Sequence, residues 1–304
     1  MGRVIEIADP LASLSLNRGF MKVSIDKIEK AQIPTSDIDI LILNPSGAIL
    51  STNLLNELLE NGVMVLVLGK NYSPSGIFYP TDPHYLHKQK IDIQINASKP
   101  LNKRLWQAVV KAKILNQAKI LSFFSNDEEK QLLELAKKVN SGDPENIEAQ
   151  AAKKYWRKLF GEDFRRDYSS TGINSLLNYG YAILRSATAR AVFSCGLNPA
   201  LGIHHNNKEN AFCLVDDLME PYRPIVDFVV KRLAEKNIEI NELNQDHKKI
   251  LTKILQIQIS ANNEIGSLSN SIIKLCQSFS KSLEQGEENL EFPISPLPIE
   301  FEIN

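Results

Sequence analysis

The amino-acid sequence predicts an α+β protein in which a small β-rich domain precedes a larger helical domain. Two observations predict this order: short runs of alternating apolar and polar residues fill the first 80 positions, and apolar residues recur at helical spacing from about position 101. The composition, with 43% hydrophobic and 23% charged residues, is typical of a globular protein. We therefore divide the chain into a β-rich domain over residues 1–80, a linker over 81–100, a helical domain over 101–284 and a tail over 285–304.

The β-rich domain is expected to contain several short strands and one helix. The first predicted strands are separated by turn signals rich in Asn, Pro, Gly and Ser, and they occupy residues 4–7, 14–16, 22–25 and 37–43. A helix over residues 54–59 follows, with Ser51 or Thr52 as its N-terminal cap and Asn61 and Gly62 at its end. The apolar run over residues 63–68 predicts a buried strand after this helix.

The linker is rich in residues that favour turns, whereas the region after it has the period of helices. Seven helical stretches are predicted there, near residues 102–124, 127–140, 145–160, 170–196, 217–236, 241–260 and 266–283. The start of the third is marked by Asp143 as the expected cap and Pro144 at the first helical position.

The formal net charge of −1 hides an uneven distribution along the chain. Six acidic residues and no Lys or Arg follow Lys281, so residues 1–281 carry a formal charge of +5, which permits phosphate contacts without requiring them. The acidic end contains three prolines and is expected to be an extended or flexible tail.

No apolar run reaches the roughly 18 residues of a transmembrane helix, and the N-terminus lacks the pattern of a secretory signal. These absences predict a cytoplasmic protein, and three widely spaced cysteines are expected to be small core residues rather than disulfide or zinc ligands.

Glu148 is the first candidate functional residue. On a helix it shares one face with Ala151, Ala152, Tyr155 and Trp156. A carboxylate on an apolar face is costly unless a partner neutralises it. Taken alone, however, the pattern favours a glutamate that lies at the edge of this face in water.

Two adjacent histidines, His204 and His205, follow a tight loop that is marked by Pro199 and Gly202. Neighbouring side chains point in different directions, so one imidazole is expected to face a site and the other to face outward. Taken alone, such a pair favours a surface feature. The other histidines, also expected at the surface, are His84, His87 and His247.

Asp217 and Glu220 are three residues apart, which brings both carboxylates to one face of a helical turn. A strongly apolar helix follows them, and it tolerates Pro221 and Pro224 only near its start or at a kink. The pattern is equally consistent with acidic residues that stabilise the N-terminus of this helix.

Together, two carboxylates and one imidazole would form a small site for a divalent cation. Oxygen ligands suit Mg²⁺ and Mn²⁺, and a single imidazole shifts the preference towards Mn²⁺. Such an ion activates an attacking hydroxyl and neutralises charge that develops on a phosphate. The spacing of the residues does not establish that the three segments meet.

Four stretches of the sequence resemble the CRISPR-associated protein one family, the catalytic subunit of the spacer-acquisition integrase. Residues 148–156 match the family pattern E-x-x-A-A-x-x-Y-W, residues 202–205 and 217–224 match G-x-x-H and D-L-M-E-x-x-R-P, and residues 174–181 resemble the long central helix. The family's histidine precedes its second acid by fifteen residues, which selects His205 over His204. This version of the motifs looks closest to type II systems.

The resemblance implies that Glu148, His205 and Glu220 are the catalytic residues and hold a Mg²⁺ or Mn²⁺ ion. The implied reaction is transesterification, in which the 3′ hydroxyl of a short DNA fragment attacks a phosphodiester of the repeat array, together with metal-dependent DNA endonuclease activity. Asp217 is expected to orient a ligand or to act as an occasional ligand itself. Arg223 either contacts a phosphate oxygen or is an ordinary surface arginine.

Basic residues around the first motif are expected to follow a DNA backbone. They are Arg157, Arg165 and Arg166, with Lys153, Lys154 and Lys158 beside them. A solvated helix face explains Lys153 and Lys154 equally well.

The resemblance further implies an N-terminal β-sandwich-like domain and an all-α domain that carries the metal site. Its implied partners are double-stranded DNA, a second copy of the chain in a homodimer, a small ferredoxin-like second subunit of the acquisition complex, and accessory and effector proteins of type II systems, with no membrane contact. Three alternatives stay open: a metal nuclease with water as the attacking group, a non-catalytic DNA-bridging subunit, and a helical scaffold in which the acidic residues meet by chance.

Overall fold

The chain divides into two compact units, Met1–Tyr85 and Leu86–Asn304. The structure is a computed structural model, and it describes residues 3–44, 47–69, 74–80, 86–124, 129–236, 240, 242–261 and 264–292. Pro45, Ser46 and His84 lie outside the described residues, as does the predicted tail from position 293 onward.

The described residues of the N-terminal unit form two four-stranded sheets, the α-helix α1 (Thr52–Glu60) and a 3₁₀ turn at Thr35–Asp37. In the first sheet, the strand order is β1 (Arg3–Ile7), β5 (Ile38–Leu43), β7 (Met64–Leu68) and β8 (Pro74–Phe78). The second sheet has the order β4 (Ile28–Pro34), β3 (Phe20–Ile25), β2 (Ala12–Asn17) and β6 (Ile49–Leu50). Strands β1, β5 and β7 are parallel, whereas β2, β3 and β4 form an antiparallel meander.

Both sheets and helix α1 contribute to one hydrophobic core. Helix α1 (Thr52–Glu60) begins after Ser51, whose hydroxyl accepts a hydrogen bond from the Leu54 amide at 3.4 Å. Leu54 and Leu58 of this helix are buried beside Leu14 of β2 and Leu41 of β5. The predicted strands and helix of this region are therefore present.

The C-terminal unit is mostly helical. Its helices are α2 (His87–Ile95), α3 (Lys99–Phe124), α4 (Lys130–Lys138), α5 (Ile147–Phe160), α6 (Ile173–Ser194), α7 (Cys213–Met219), α8 (Arg223–Glu235), α9 (Gln245–Thr252) and α10 (Leu268–Gln285). All three cysteines are free and buried, as expected.

Two expectations about this unit are wrong. The linker expected over 81–100 contains α2, and α3 begins at Lys99. The unit is also not all-α, because β9 (Gln258–Ala261) and β10 (Glu264–Ser267) pair as an antiparallel hairpin. The predicted helix over 241–260 accordingly ends at Thr252.

The segment predicted as one helix over 217–236 consists of three pieces. Helix α7 ends at Met219, a 3₁₀ turn spans Glu220–Tyr222, and α8 begins at Arg223. Pro221 lies at the start of the turn and Pro224 at the start of α8, where a missing N–H group is tolerated.

No helix in the described part of the chain has the length and apolar character needed to cross a membrane.

Candidate active site

Glu148 lies in the first turn of α5 and is one quarter exposed at its side chain. The N-terminal cap of α5 lies about one turn later than expected. It is Asn146, at a positive φ of 51°, and not Asp143. The Asp143 carboxylate still accepts hydrogen bonds from the amides of Ile147 at 2.9 Å and Glu148 at 3.0 Å. These bonds fix the backbone from which the Glu148 side chain extends.

Glu220 occupies the 3₁₀ turn between α7 and α8 and is buried. It forms an ion pair with Arg223, whose Nε lies 2.9 Å from Oε1 of the glutamate. Burial opposes ionisation of the Glu220 carboxyl, but Arg223 and Lys113 hold its pKa below the usual value. Glu220 is therefore a carboxylate at neutral pH.

The two glutamates meet on a residue that the sequence analysis missed. Lys113 of α3 lies with its Nζ 2.5 Å from Oε1 of Glu148 and 2.5 Å from Oε2 of Glu220. Since both carboxylate oxygens touch the same nitrogen atom, they are at most about 5 Å apart. Burial would lower the pKa of the Lys113 ammonium, but the charges of Glu220 and Glu148 outweigh that effect and raise it.

His205 is held by Asp217, which is fully buried. The Asp217 carboxylate contacts the His205 ring at Nδ1 and accepts backbone hydrogen bonds from Ile203 at 2.6 Å and His204 at 2.9 Å. The hydrogen bond to Asp217 is the main reason that the pKa of the His205 imidazole is raised, although its partial burial acts in the opposite direction. Because Nδ1 faces Asp217, Nε2 is the nitrogen left for another ligand.

This loop depends on a glycine at position 202. A methyl group there would lie 2.4 Å from the His205 carbonyl oxygen and 3.0 Å from Oδ2 of Asp217. The first distance is too short for any side chain and the second is tight, so the close approach of the loop to α7 requires glycine. Gly202 thus allows Asp217 to reach three consecutive backbone amides and the imidazole.

Trp106 of α3 packs against both histidines and was also missed. Its ring stacks on His204 with centroids 4.4 Å apart and meets His205 edge-on at 5.5 Å. A buried indole thereby fixes the orientation of the two imidazoles relative to α3, the helix that also carries Lys113.

The predicted DNA-binding arginines have different environments. Arg166 donates to Asn174 at 2.9 Å and to Asn178 at 2.6 Å, and its guanidinium lies over the ring of Tyr168. Arg223 is mostly buried between Glu220 and the ring of Tyr181. A cavity of about 380 Å³ is lined by Lys153, Trp156, Arg157, Phe164, Arg165 and Arg166.

The donor atoms fit a divalent cation in their chemistry. Two carboxylates from separate elements share a single cationic group, and the buried Oε2 of Glu220 makes no well-angled hydrogen bond within the described part of the chain. In the described residues, however, no three His, Cys, Asp or Glu side chains are already arranged around one metal position. The Lys113 ammonium is the cationic group that both carboxylates contact.

The position of Lys113 in the sequence could have predicted that it pairs with an acidic residue. It follows Val109 by four residues and Leu105 by eight, so it falls on the apolar face of α3, where both valine and leucine are fully buried. A lysine on a buried face requires an acidic partner, and the two predicted carboxylates are the partners that it has.

Comparison with known proteins identifies the relatives of the chain. A family model described as CRISPR associated protein Cas1 matches residues 5–255. A CRISPR-associated endonuclease Cas1 from Neisseria meningitidis is 38% identical over 272 residues, which cover 88% of this chain and 89% of that protein. A similar protein from Pyrobaculum aerophilum is 28% identical and covers 84% of this chain and 90% of its own length.

Solved structures share the fold. A casposase bound to an integration product has a TM-score of 0.81 at 21% identity and covers 99% of this chain and 95% of that chain. A CAS1 protein from Thermotoga maritima has a TM-score of 0.73 at 18% identity, with coverages of 94% and 98%. A chain of a Cas6-RT-Cas1–Cas2 complex gives 0.78 at 17% identity, covering 97% of this chain and 36% of that chain.

Proposed function

We propose that this chain, which belongs to the Cas1 family of CRISPR-associated proteins, joins the 3′ hydroxyl ends of short DNA fragments to phosphodiesters of a repeat array. The same site would also cleave DNA, in line with the endonuclease name of the relative from Neisseria meningitidis. One observation carries the proposal: Glu148 and Glu220, 72 positions apart in the sequence, converge on a single cationic group. Carboxylates held in this way suit phosphoryl transfer, in which charge stabilisation and positioning supply most of the catalysis.

Glu148, Glu220 and Nε2 of His205 would hold a Mg²⁺ or Mn²⁺ ion. When bound, the ion would favour ionisation of the attacking hydroxyl and neutralise charge on the phosphate. The rest of the machinery consists of residues that orient these ligands. Asp217 fixes the ring of His205 through Nδ1, and Arg223 and Lys113 both form ion pairs with the Glu220 carboxylate.

No protein nucleophile is needed for this reaction, because the DNA supplies the attacking hydroxyl. The chain has to bind the fragment, place its end and exclude competing water. Arg157 and Arg165, which line the basic cavity and are exposed, are suited to contact a DNA backbone. Arg223 is suited to position Glu220, with which it forms an ion pair, and its contact with a phosphate remains a prediction.

The proposed partners follow the same reasoning. We infer double-stranded DNA, a second copy of the chain and a small ferredoxin-like second subunit, with type II accessory and effector proteins as further partners. Two solved structures of the same fold, a casposase bound to an integration product and a Cas6-RT-Cas1–Cas2 complex, support DNA and a second subunit as partners.

The decisive experiment supplies a duplex with labelled 3′ hydroxyl ends, a supercoiled repeat-containing plasmid and Mn²⁺, together with the second subunit. We expect the wild-type protein to give joined product and Glu148→Gln to lose at least about a hundredfold in rate, because the loss of one ligand weakens metal-dependent catalysis. Glu145→Gln, which changes an exposed acid just before α5, is the matched control and should remain active.

The alternatives give different products. Shortened strands without joined product would show a nuclease that uses water as the attacking group. Joining at the wild-type rate by Glu148→Gln would rule out this site and favour a DNA-bridging role for the chain.

A further inference from the structure

Lys113 is placed where two acidic groups need a cation. Its ammonium touches one oxygen of Glu148 and one of Glu220, at 2.5 Å each, and its side chain is only 10% exposed. The lysine comes from the middle of α3, whereas the glutamates come from α5 and the 3₁₀ turn before α8. Helix α3 packs against both α5 and the 3₁₀ turn, so the ammonium ties the three elements together at the candidate site.

The contacts have an electrostatic reason. Two carboxylates within about 5 Å of each other repel strongly when they are shielded from water, and each one loses hydration on burial. Arg223 neutralises one glutamate only. Lys113 supplies the second positive charge, and it touches both acids at once.

A divalent ion held by the same two oxygens would lie where the ammonium now lies. Mg²⁺ binds carboxylate oxygens at about 2.0–2.1 Å, so an ion that approached the two oxygens from the side that Nζ now contacts would overlap the nitrogen atom. Ion and ammonium would also repel each other across this distance. They cannot occupy the position together.

We propose that Lys113 is a resident counter-cation: it holds Glu148 and Glu220 together in the metal-free protein and is displaced when the divalent ion binds. This inference rests on the proposed function, since it requires that the ion binds at these glutamates. Lys113 thereby keeps the metal-free site assembled, but it also competes with the ion for the same oxygens. Its flexible stem allows Nζ to withdraw without a movement of α3.

The proposal predicts opposite effects of one substitution on two quantities. In Lys113→Met the competing charge is gone, so Mn²⁺ should bind about tenfold more tightly or better. The metal-free protein should be less stable, because the buried Glu220 and the partly buried Glu148 lose their shared partner. Saturating Mn²⁺ should then raise the melting temperature of Lys113→Met more than that of the wild-type protein.

The experiment measures Mn²⁺ binding by calorimetry and thermal unfolding with and without Mn²⁺, so no activity is needed. Lys119→Met, which makes the same change at an exposed position of α3, is the matched control and should behave like the wild-type protein. Lys113→Arg retains the charge in a bulkier group and should bind Mn²⁺ no more tightly than the wild-type protein does.

Each result decides between explanations. If the wild-type protein binds Mn²⁺ and Glu148→Gln does not, but Lys113→Met binds no more tightly than the wild type, the counter-cation proposal is wrong and the proposed function stands. If Glu148→Gln binds Mn²⁺ as well as the wild type does, the metal site of the proposed function is wrong. A Lys113→Met protein that folds only with Mn²⁺ supports the proposal. If Lys113→Met does not fold at all, the test depends on Lys113→Arg. Tighter Mn²⁺ binding by Lys113→Arg than by the wild type would overturn the proposal, and equal or weaker Mn²⁺ binding would support it.

Discussion

Asp227 is a buried carboxyl group on which three helices meet. It accepts hydrogen bonds from the hydroxyl of Tyr155 of α5, at 3.1 Å, and from the hydroxyl of Tyr181 of α6. Burial raises the pKa of the Asp227 carboxyl to about 7, although the two tyrosines, Arg223 and Arg166 act in the opposite direction. The folded protein therefore favours the neutral carboxyl.

A pH dependence of stability follows from this shift. Since the folded-state pKa of about 7 exceeds the usual 3.8, the favourable contribution of the neutral group is complete below about pH 4, declines as the pH rises and is lost above about pH 7. At about 1.4 kcal/mol per pKa unit, the free energy of unfolding of the wild type should fall by on the order of 4 kcal/mol relative to Asp227→Asn across this interval.

Urea unfolding at several pH values between 4 and 8 measures this difference. Asp246→Asn, which changes an exposed carboxylate, controls for the altered net charge. A constant difference between wild type and Asp227→Asn over the whole range would mean that Asp227 is ionised throughout.

At the scale of residues, the sequence predicted the acidic groups and the histidine of the candidate site, but it did not predict Lys113 and Trp106, which contact them. Glu148, His205 and Glu220 were selected through the family resemblance, and their role as metal ligands stays a prediction. Asp217, which was expected to orient a ligand, contacts the His205 ring at Nδ1. Lys113 and Trp106 were missed because they lie in α3, far from every motif in sequence. His247, expected at the surface, is buried beside its capping partner Asn244.

Helices α6 and α8 approach each other closely at Gly180. A methyl group at this position would lie 2.5 Å from Cγ1 of Val226, which is a steric clash. The valine side chain is short and branched, so the clash can be removed only by a shift of the helices. The glycine costs about 1 kcal/mol of helix propensity compared with alanine. The presence of glycine at position 180 is explained by the close packing of α6 against α8, the helix that contains Asp227 and Arg223.

We expect Gly180→Ala to lower the free energy of unfolding by about 1–3 kcal/mol, because the clash outweighs the gain in helix propensity. Val226→Ala removes the methyl group that causes the clash. The double variant should therefore be more stable than the sum of the single effects predicts, by at least about 1 kcal/mol. Denaturant unfolding of the four proteins measures this coupling, and additive effects would contradict the packing explanation.

At the scale of elements, the hydrophobic period predicted most helices but not their interruptions. The two prolines after Glu220 had signalled a kink or a helix start, and the 3₁₀ turn at Glu220–Tyr222 is the result. The hairpin of β9 and β10 was missed because its strands have only four residues each, too few to show an alternating pattern beside a helix.

The charge of the whole chain, −1, does not attract DNA, so the proposed binding requires a local concentration of positive charge. The basic cavity of about 380 Å³ provides one, since Lys153, Arg157, Arg165 and Arg166 all line it. Arg166 is already engaged by two asparagines, which leaves Arg157 and Arg165 as the better test of DNA contact.

We expect Arg157→Ala/Arg165→Ala to bind duplex DNA about tenfold or more weakly at moderate salt, because two phosphate contacts are lost. The slope of the logarithm of affinity against the logarithm of salt concentration should decrease in magnitude by about 2, since each phosphate contact contributes about 0.9. Mn²⁺ binding should not change, which separates this surface from the metal site. Lys88→Ala/Lys249→Ala, which removes two exposed lysines from elsewhere in the same unit, keeps the net charge equal to that of the test variant. An equal loss of slope in both double variants would show that the attraction depends on total charge and not on this cavity.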